Sequence, residues 1–125
     1  MATDLTVRLV NRPGTLLQAS DALARAGVNI EGACGYTVEG QGVYHVLVSE
    51  AERARRALLD AGLEIEAERA VVVVAAENRP GGAAAVLRRV ADAGVNIDLL
   101  YASAGGQLVL GGADIASIRR ALDLV

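Results

Sequence analysis

The hydrophobic pattern of the chain switches repeatedly between the period of a strand and the period of a helix. Residues 4–10 alternate polar and apolar side chains, which places Leu5, Val7 and Leu9 on one face of a half-buried strand. Residues 15–26 instead space their apolar side chains along one face of a helix. The same reasoning predicts strands at 28–38, 43–48 and 63–68 and a helix at 50–61.

The second half of the chain repeats most of this order. It predicts strands at 71–76, 95–103 and 107–110 and helices at 83–93 and 114–122. The first half has the β-α-β-β-α-β order of a ferredoxin-like unit, whereas the second half stops without a full counterpart of strand 63–68. We therefore predict an α+β fold of two such units in tandem, 1–69 and 70–125. Each would be an antiparallel sheet with helices on one face, and the last strand of the second unit would be short or missing.

A repeated motif supports the tandem arrangement. Asn-Arg-Pro-Gly at 11–14 recurs at 78–81, and Ala-Gly-Val-Asn-Ile at 26–30 recurs at 93–97. Both matches have the same offset, so an internal duplication explains them better than chance does. The first motif follows a predicted strand and opens a helix, and the second follows that helix.

Helix ends and inward faces can also be predicted. Thr15 and Asp114 are placed to cap the helices that they precede. Leu16 and Leu59 fall on the apolar stripes of their helices, so both are expected to face the core.

Composition narrows the function classes. The net charge of −3 argues against a protein that binds nucleic acids or acidic membranes through bulk charge. Cys34 is the only cysteine, which excludes an internal disulfide and a cysteine-based zinc site. No apolar run is long enough for a membrane span, and the N-terminal residues lack a signal pattern. We expect a cytoplasmic protein, and a homodimer because the cores are small and one strand is missing.

The chemistry of the Asn-Arg-Pro-Gly loop suggests a binding site. The first N–H groups of a helix have no internal partners and carry partial positive charge, so they attract a carboxylate. Gly14 and Gly81 allow a ligand to approach the backbone. An asparagine amide can both accept from an ammonium group and donate to a carboxylate, but it neither titrates nor attacks. This set suits the binding of an amino acid and is poor for catalysis.

The strand–Asn-Arg-Pro-Gly–helix–Gly-Val-Asn-Ile–strand pattern resembles the ACT domain, a small-molecule regulatory module. It is most similar to the serine-binding regulatory domain of D-3-phosphoglycerate dehydrogenase. The resemblance covers nearly the whole chain and implies that asparagines from facing units hold an amino-acid effector. It implies a non-enzymatic protein with no catalytic residues, no cofactor and no metal. The candidate ligand-binding residues are Asn11, Arg12, Pro13, Gly14, Asn29, Ile30, Asn78, Pro80, Gly81, Asn96 and Ile97.

The pattern departs from the serine-binding loop at one position. A histidine often precedes the first asparagine of that loop by two residues, but Leu9 and Ala76 stand there in this chain. The identity of the amino acid therefore stays open. Further alternatives are a regulatory subunit that binds a separate biosynthetic enzyme chain and an ACT-type transcriptional regulator.

A purely structural alternative also stays open, in which the asparagines only form turns or cap helices. His45 is interpreted as a packed or surface residue rather than a catalyst. Cys34 is interpreted as an inert small apolar residue, because it has no identifiable base partner nearby in sequence. The arginine pairs on the predicted helices are interpreted as solvated faces.

Overall fold

The structure is a computed structural model that describes residues 2–124. It divides into two compact units at the junction between Arg69 and Ala70. The elements of the first unit are β1 (Thr3–Val10), α1 (Thr15–Arg25), β2 (Gly32–Val38), β3 (Gln41–Val48), α2 (Ala51–Asp60) and β4 (Glu64–Ala70). The elements of the second unit are β5 (Val72–Ala75), α3 (Gly82–Asp92), β6 (Leu99–Ala102), β7 (Gln107–Gly111) and α4 (Ile115–Ala121).

The first unit is a four-stranded sheet in the order β2-β3-β1-β4. The strand β3 pairs antiparallel with both β1 and β2. One face of the sheet packs on both helices, because Leu5 and Val7 of β1 share a core with Leu23 of α1 and Leu58 of α2. This arrangement confirms the predicted ferredoxin-like unit and the inward face of β1.

The second unit has the same plan with one strand fewer. Its sheet runs β5-β7-β6, with both pairs antiparallel, and the part of the chain described after Ala70 adds no fourth strand. Val72, Val90, Leu110 and Ile118 are fully or almost fully buried in its core. The prediction of a short or missing last strand is therefore confirmed.

Two predicted strands begin later than expected, because a helix-stopping turn occupies their first residues. After α1, Gly27 adopts a left-handed φ of 75° and the N–H of Val28 donates to the carbonyl of Leu23 at 2.9 Å. These contacts form a Schellman cap. The same turn ends α3 at Gly94. The predicted strands 28–38 and 95–103 are therefore shortened to β2 and β6.

Three side-chain predictions for the helices need correction, and one is confirmed. The N-cap of α1 is Gly14 and not Thr15, whose hydroxyl donates to the carbonyl of Arg12. Leu16 and Leu59 are each 52% exposed, so they lie off the buried stripes of their helices. Asp114 does cap α4, by accepting from the N–H of Ser117. Among the described residues, no helix combines the length and the apolar character that a membrane crossing requires.

Candidate functional site

The first Asn-Arg-Pro-Gly loop leaves the start of α1 open. Gly14 precedes the helix with a left-handed φ of 91°, and no side chain caps the helix there. The helix has 11 residues, which is long enough for its aligned peptide dipoles to place partial positive charge at this end. An anion can therefore approach the first N–H groups of α1 without displacing a capping side chain.

Asn11 and Arg12 are exposed beside this helix start. Within residues 2–124 their side chains make no hydrogen bond or ion pair. The structural alternative required the side chain of Asn11 to cap α1 or to bind its own turn, and neither contact is present in the described part of the chain. One amide and one guanidinium are thus available to a ligand at the same end of the unit.

Two clefts flank the loop. One, of about 290 Å³, lies between the loop, the first turn of α1 and β2, and its lining includes Asn11, Gly14 and Tyr36. The other, of about 470 Å³, lies on the side of β4 and is also lined by Asn11 and Arg12. Either volume is sufficient for a small amino acid.

Asn29 lies at the opposite end of the unit. It follows α1, which spans about 16 Å at 1.5 Å per residue, whereas Asn11 precedes that helix. Strand pairing agrees, because Val10 faces Gln41 at the start of β3 and the N–H of Glu31 donates to Leu47 near its end. The two asparagines of one unit therefore do not meet at one ligand.

The second copy of the loop has the same residues in different surroundings. Gly81 again precedes its helix with a left-handed φ of 87° and no side-chain cap. However, Arg79 is paired with Glu77, whereas Val10 occupies the corresponding position in the first copy. A Cβ added to Gly82 would lie only 1.8 Å from the carbonyl oxygen of Glu77, so the chain folds tightly back at this point.

The remaining candidate residues divide into exposed and packed positions. Asn78, Pro80 and Asn96 are exposed, and Asn96 lines a cleft of about 390 Å³ together with Asp114 and Ser117. Ile30 and Ile97, by contrast, pack against the cores of their own units.

The face of the first sheet that points away from α1 and α2 holds a buried polar cluster that the sequence analysis missed. His45 is only 6% exposed and is bonded to Asp4 at 2.9 Å and to Tyr36 at 3.1 Å. These residues come from β3, β1 and β2. The register of β1 and β3 places Thr6 directly opposite His45. A prediction of this register would have revealed the cluster, whereas sequence spacing alone could not. No group of three or more metal-ligating side chains occurs in the described chain.

Comparisons with known proteins agree with this architecture. A family model described as an ACT domain pair matches residues 1–121. Protein BT0572 from Bacteroides thetaiotaomicron is 25% identical, with a TM-score of 0.85 over 97% of this chain and 85% of that one. A comparison with curated protein sequences gave no match.

The fold is also shared with the ligand-free regulatory subunit of aspartate kinase from Thermus thermophilus. That structure is 20% identical, with a TM-score of 0.70 over 98% of this chain and 89% of its own. The corresponding subunit from Thermus flavus is 18% identical, with a TM-score of 0.68 over 98% and 90%.

Proposed function

The chain belongs to the ACT domain pair family, and we propose that it is a non-enzymatic regulatory protein whose first unit binds an amino acid. The observation that carries this proposal is the open start of α1 beside the free side chains of Asn11 and Arg12. The second loop is a weaker candidate, because Glu77 already neutralises Arg79.

The chemistry at the start of α1 fits a zwitterionic amino acid. The carboxylate would accept hydrogen bonds from the first N–H groups of α1 and from the guanidinium of Arg12. The side-chain carbonyl of Asn11 would accept from the ammonium group. The cleft between Pro13, Leu16 and Gly35 would take the ligand's side chain.

A second copy of the chain would complete the site. Asn29 lies too far from Asn11 to share a ligand with it inside one unit, so we propose that Asn29 of the partner subunit closes the cleft. Exposed apolar surface supports association at this end. Five of the seven large apolar side chains that are exposed in the described chain lie here, namely Val10, Leu16, Leu17, Tyr36 and Val38.

Regulation would follow from differential affinity. A ligand held by two chains binds the closed pair better than the separated chains, and this difference is the signal. We expect a dissociation constant between about 1 μM and 1 mM for such a small effector.

The first test is a thermal-shift screen of the purified protein against the twenty amino acids. A ligand that binds only the folded protein raises its melting temperature by mass action. We expect one amino acid, or a few related ones, to raise it. If none did so at about 10 mM, the proposal of an amino-acid sensor would fail.

The second test uses the repeat as its own control. Asn11→Ala should weaken binding of the identified amino acid by about 1–3 kcal/mol, because a polar group of the ligand loses its partner. Asn78→Ala changes the same residue in the second copy and should bind almost as well as wild type. Isothermal titration calorimetry distinguishes the two, and wild-type affinity in both variants would show that the site lies elsewhere.

A second candidate is a regulatory subunit of an amino-acid biosynthetic enzyme. It is favoured by the fold shared with two structures that are described as regulatory subunits of aspartate kinase. This candidate requires a stable complex with a separate catalytic chain. Affinity purification from the source cell, followed by identification of co-purified chains, would separate it from a free sensor.

A further inference from the structure

The second sheet has an edge strand whose counterpart in the first sheet is internal. Strand β5 corresponds to β1 at the offset of 67 residues, and it ends the strand order β5-β7-β6. In the first unit, β1 instead lies between β3 and β4. Within residues 2–124 the backbone of β5 has no hydrogen-bonded neighbour other than β7. One edge of β5 therefore presents unpaired N–H and C=O groups.

The core beside this edge is less completely covered than its counterpart. In the first unit, Ile65 of β4 packs against the core, and Val7 of β1 is completely buried. Val74 is the counterpart of Val7 and faces the second core, yet it is only partly buried. No residue in the described part of the second unit takes the place of Ile65. An added strand would therefore cover apolar side chains as well as pair backbone groups.

The composition of β5 suits a strand with a neighbour on each side. Open edges are usually protected by charges or proline, and the edge strand β4 carries Glu64, Glu66 and Glu68. The sequence of β5 is Val-Val-Val-Ala, with neither a charge nor a proline. The strands β2 and β6 are edges in both copies of the fold, whereas β5 is an edge only because a fourth strand is missing.

We propose that the free edge of β5 is a docking site for an extended segment of a separate protein chain, which adds the fourth strand to the second sheet. The site lies in the second unit and does not depend on the proposed binding of an amino acid. Backbone hydrogen bonds would hold the segment, and its side chains would determine which segments fit.

The internal repeat indicates the chemistry of the segment, because β4 takes the equivalent place beside β1. On the side of the helices, the segment needs an apolar side chain, as Ile65 supplies in the first unit. On the other face, Glu64 and Glu66 of β4 are paired with Arg8. The counterpart of Arg8 is Ala75, which offers no partner to a carboxylate. The docking segment is therefore apolar toward the helices and uncharged on the opposite face.

The β5 strand of a second copy does not fit this edge in a continuous sheet. Helix α4 packs on β5, with Ile118 and Leu122 in one core with Val72. A second β5 would lie only about 4.8 Å from the first and would carry its own α4. Helix axes pack no closer than about 8 Å, so the two copies of α4 would collide. The occupant is thus a strand without a helix of its own on this side.

The test uses synthetic peptides that copy residues 62–71 of this chain, which include β4. One peptide has the natural sequence, and another carries Glu64→Thr and Glu66→Thr, so that its outward positions are uncharged. We expect the uncharged peptide to bind the protein about fivefold more tightly, because carboxylates beside Ala75 lose solvation without gaining a partner. A third peptide that also carries Ile65→Asp should not bind. Fluorescence anisotropy of labelled peptides measures the affinities.

Amide hydrogen exchange locates the bound peptide. In the free protein, we expect the outward N–H groups of β5 to exchange quickly, whereas those of β1 are protected on both sides. With the uncharged peptide at about ten times its dissociation constant, exchange at β5 should slow roughly tenfold. Exchange at β6, the other edge of the same sheet, should not change, and neither should exchange at β1.

The variant Ala75→Arg tests which face the peptide presents. Ala75 is exposed, and arginine there restores the residue that pairs with β4 in the first copy. We expect Ala75→Arg to bind the natural peptide about fivefold more tightly than wild type does, and so to remove the preference for the uncharged peptide. Ala102→Arg is the matched control, because it adds the same charge at an exposed position of β6. It should leave the preference unchanged.

Three results would overturn the inference. One is that neither the natural nor the uncharged peptide binds, and another is that binding changes exchange at β1 or β6 instead of β5. The third is that the outward N–H groups of β5 are already protected in the dilute protein, because the edge would then be occupied. None of these results affects the proposed amino-acid site, which the thermal-shift screen tests separately in the first unit.

Discussion

At the scale of single residues, two positions make the two copies of the loop different. Glu77 stands where the first copy has Val10, and Gly82 stands where it has Thr15. The first difference pairs Arg79 with a carboxylate, and the second allows the backbone to fold back on itself. The repeated residues are identical, so their neighbours determine which copy can hold an anion.

Gly82→Ala tests the tight turn. The added Cβ would lie 1.8 Å from the carbonyl oxygen of Glu77, and a backbone atom cannot easily yield. We expect the free energy of unfolding to fall by about 1–3 kcal/mol, as for other overpacked sites. The control Thr15→Ala should cost about 1 kcal/mol for one lost hydrogen bond. Urea denaturation measures both, and wild-type stability of Gly82→Ala would mean that the turn is looser than described.

The four asparagines were found from the sequence because the repeat marks them. The free state of Arg12 was not predictable, since it depends on which side chains surround the folded loop. The polar cluster of Asp4, His45 and Tyr36 was missed for a related reason. Its members lie 41 and 9 positions from His45, and only the strand register brings them into contact.

At the scale of elements, half of the repeated motif has a structural explanation. The Ala-Gly-Val part ends a helix, because glycine supplies the left-handed turn and valine packs back on the helix. The buried Val28 was interpreted as the start of a strand, which placed that start four residues too early. The cap does not use the side chain of Asn29, so its recurrence calls for another explanation. Ligand binding is the one that we propose.

The cap of α4 predicts a pH effect on stability. The side-chain and backbone hydrogen bonds from Ser117, with a smaller contribution from Arg120, lower the pKa of Asp114 from its ordinary value of 3.8. A lowered pKa means that the folded state favours the carboxylate. The stabilisation is therefore fully present well above pH 3.8 and is lost as the pH falls through the pKa of the folded state.

The variant Asp114→Asn isolates this effect. An asparagine can still accept from Ser117 at the N-cap, but it does not titrate. The melting temperature of wild type should exceed that of the variant at neutral pH, and the difference should shrink below about pH 4. A difference that stays constant down to pH 2 would show that the charge of Asp114 does not matter.

At the scale of the whole molecule, the plan of both units was predictable and their surfaces were not. Alternation, one continuous apolar run and helical spacing identified each strand and helix that the structure describes in residues 2–124, and counting the predicted strands showed that one was missing. Leu16 was assigned to the core because its spacing fits the buried stripe, although it is 52% exposed. Apolar spacing predicts which face of a helix a residue lies on, but it does not predict how far neighbouring elements cover that face. Apolar side chains on the uncovered part of the face, such as Leu16, are available to a partner.

Exposed apolar side chains on the first unit predict that the chain associates with a second copy of itself. Leu17 and Val10 are 70% and 62% exposed at the end of the first unit that carries Asn11. We expect sedimentation of the wild-type protein to show a concentration-dependent dimer, because burying this apolar surface is favourable. Leu17→Asp should shift the equilibrium to monomer, whereas Leu59→Asp, at a 52% exposed position of α2, should not. If both variants dimerised like wild type, Asn29 of the partner subunit could not reach the loop through this face.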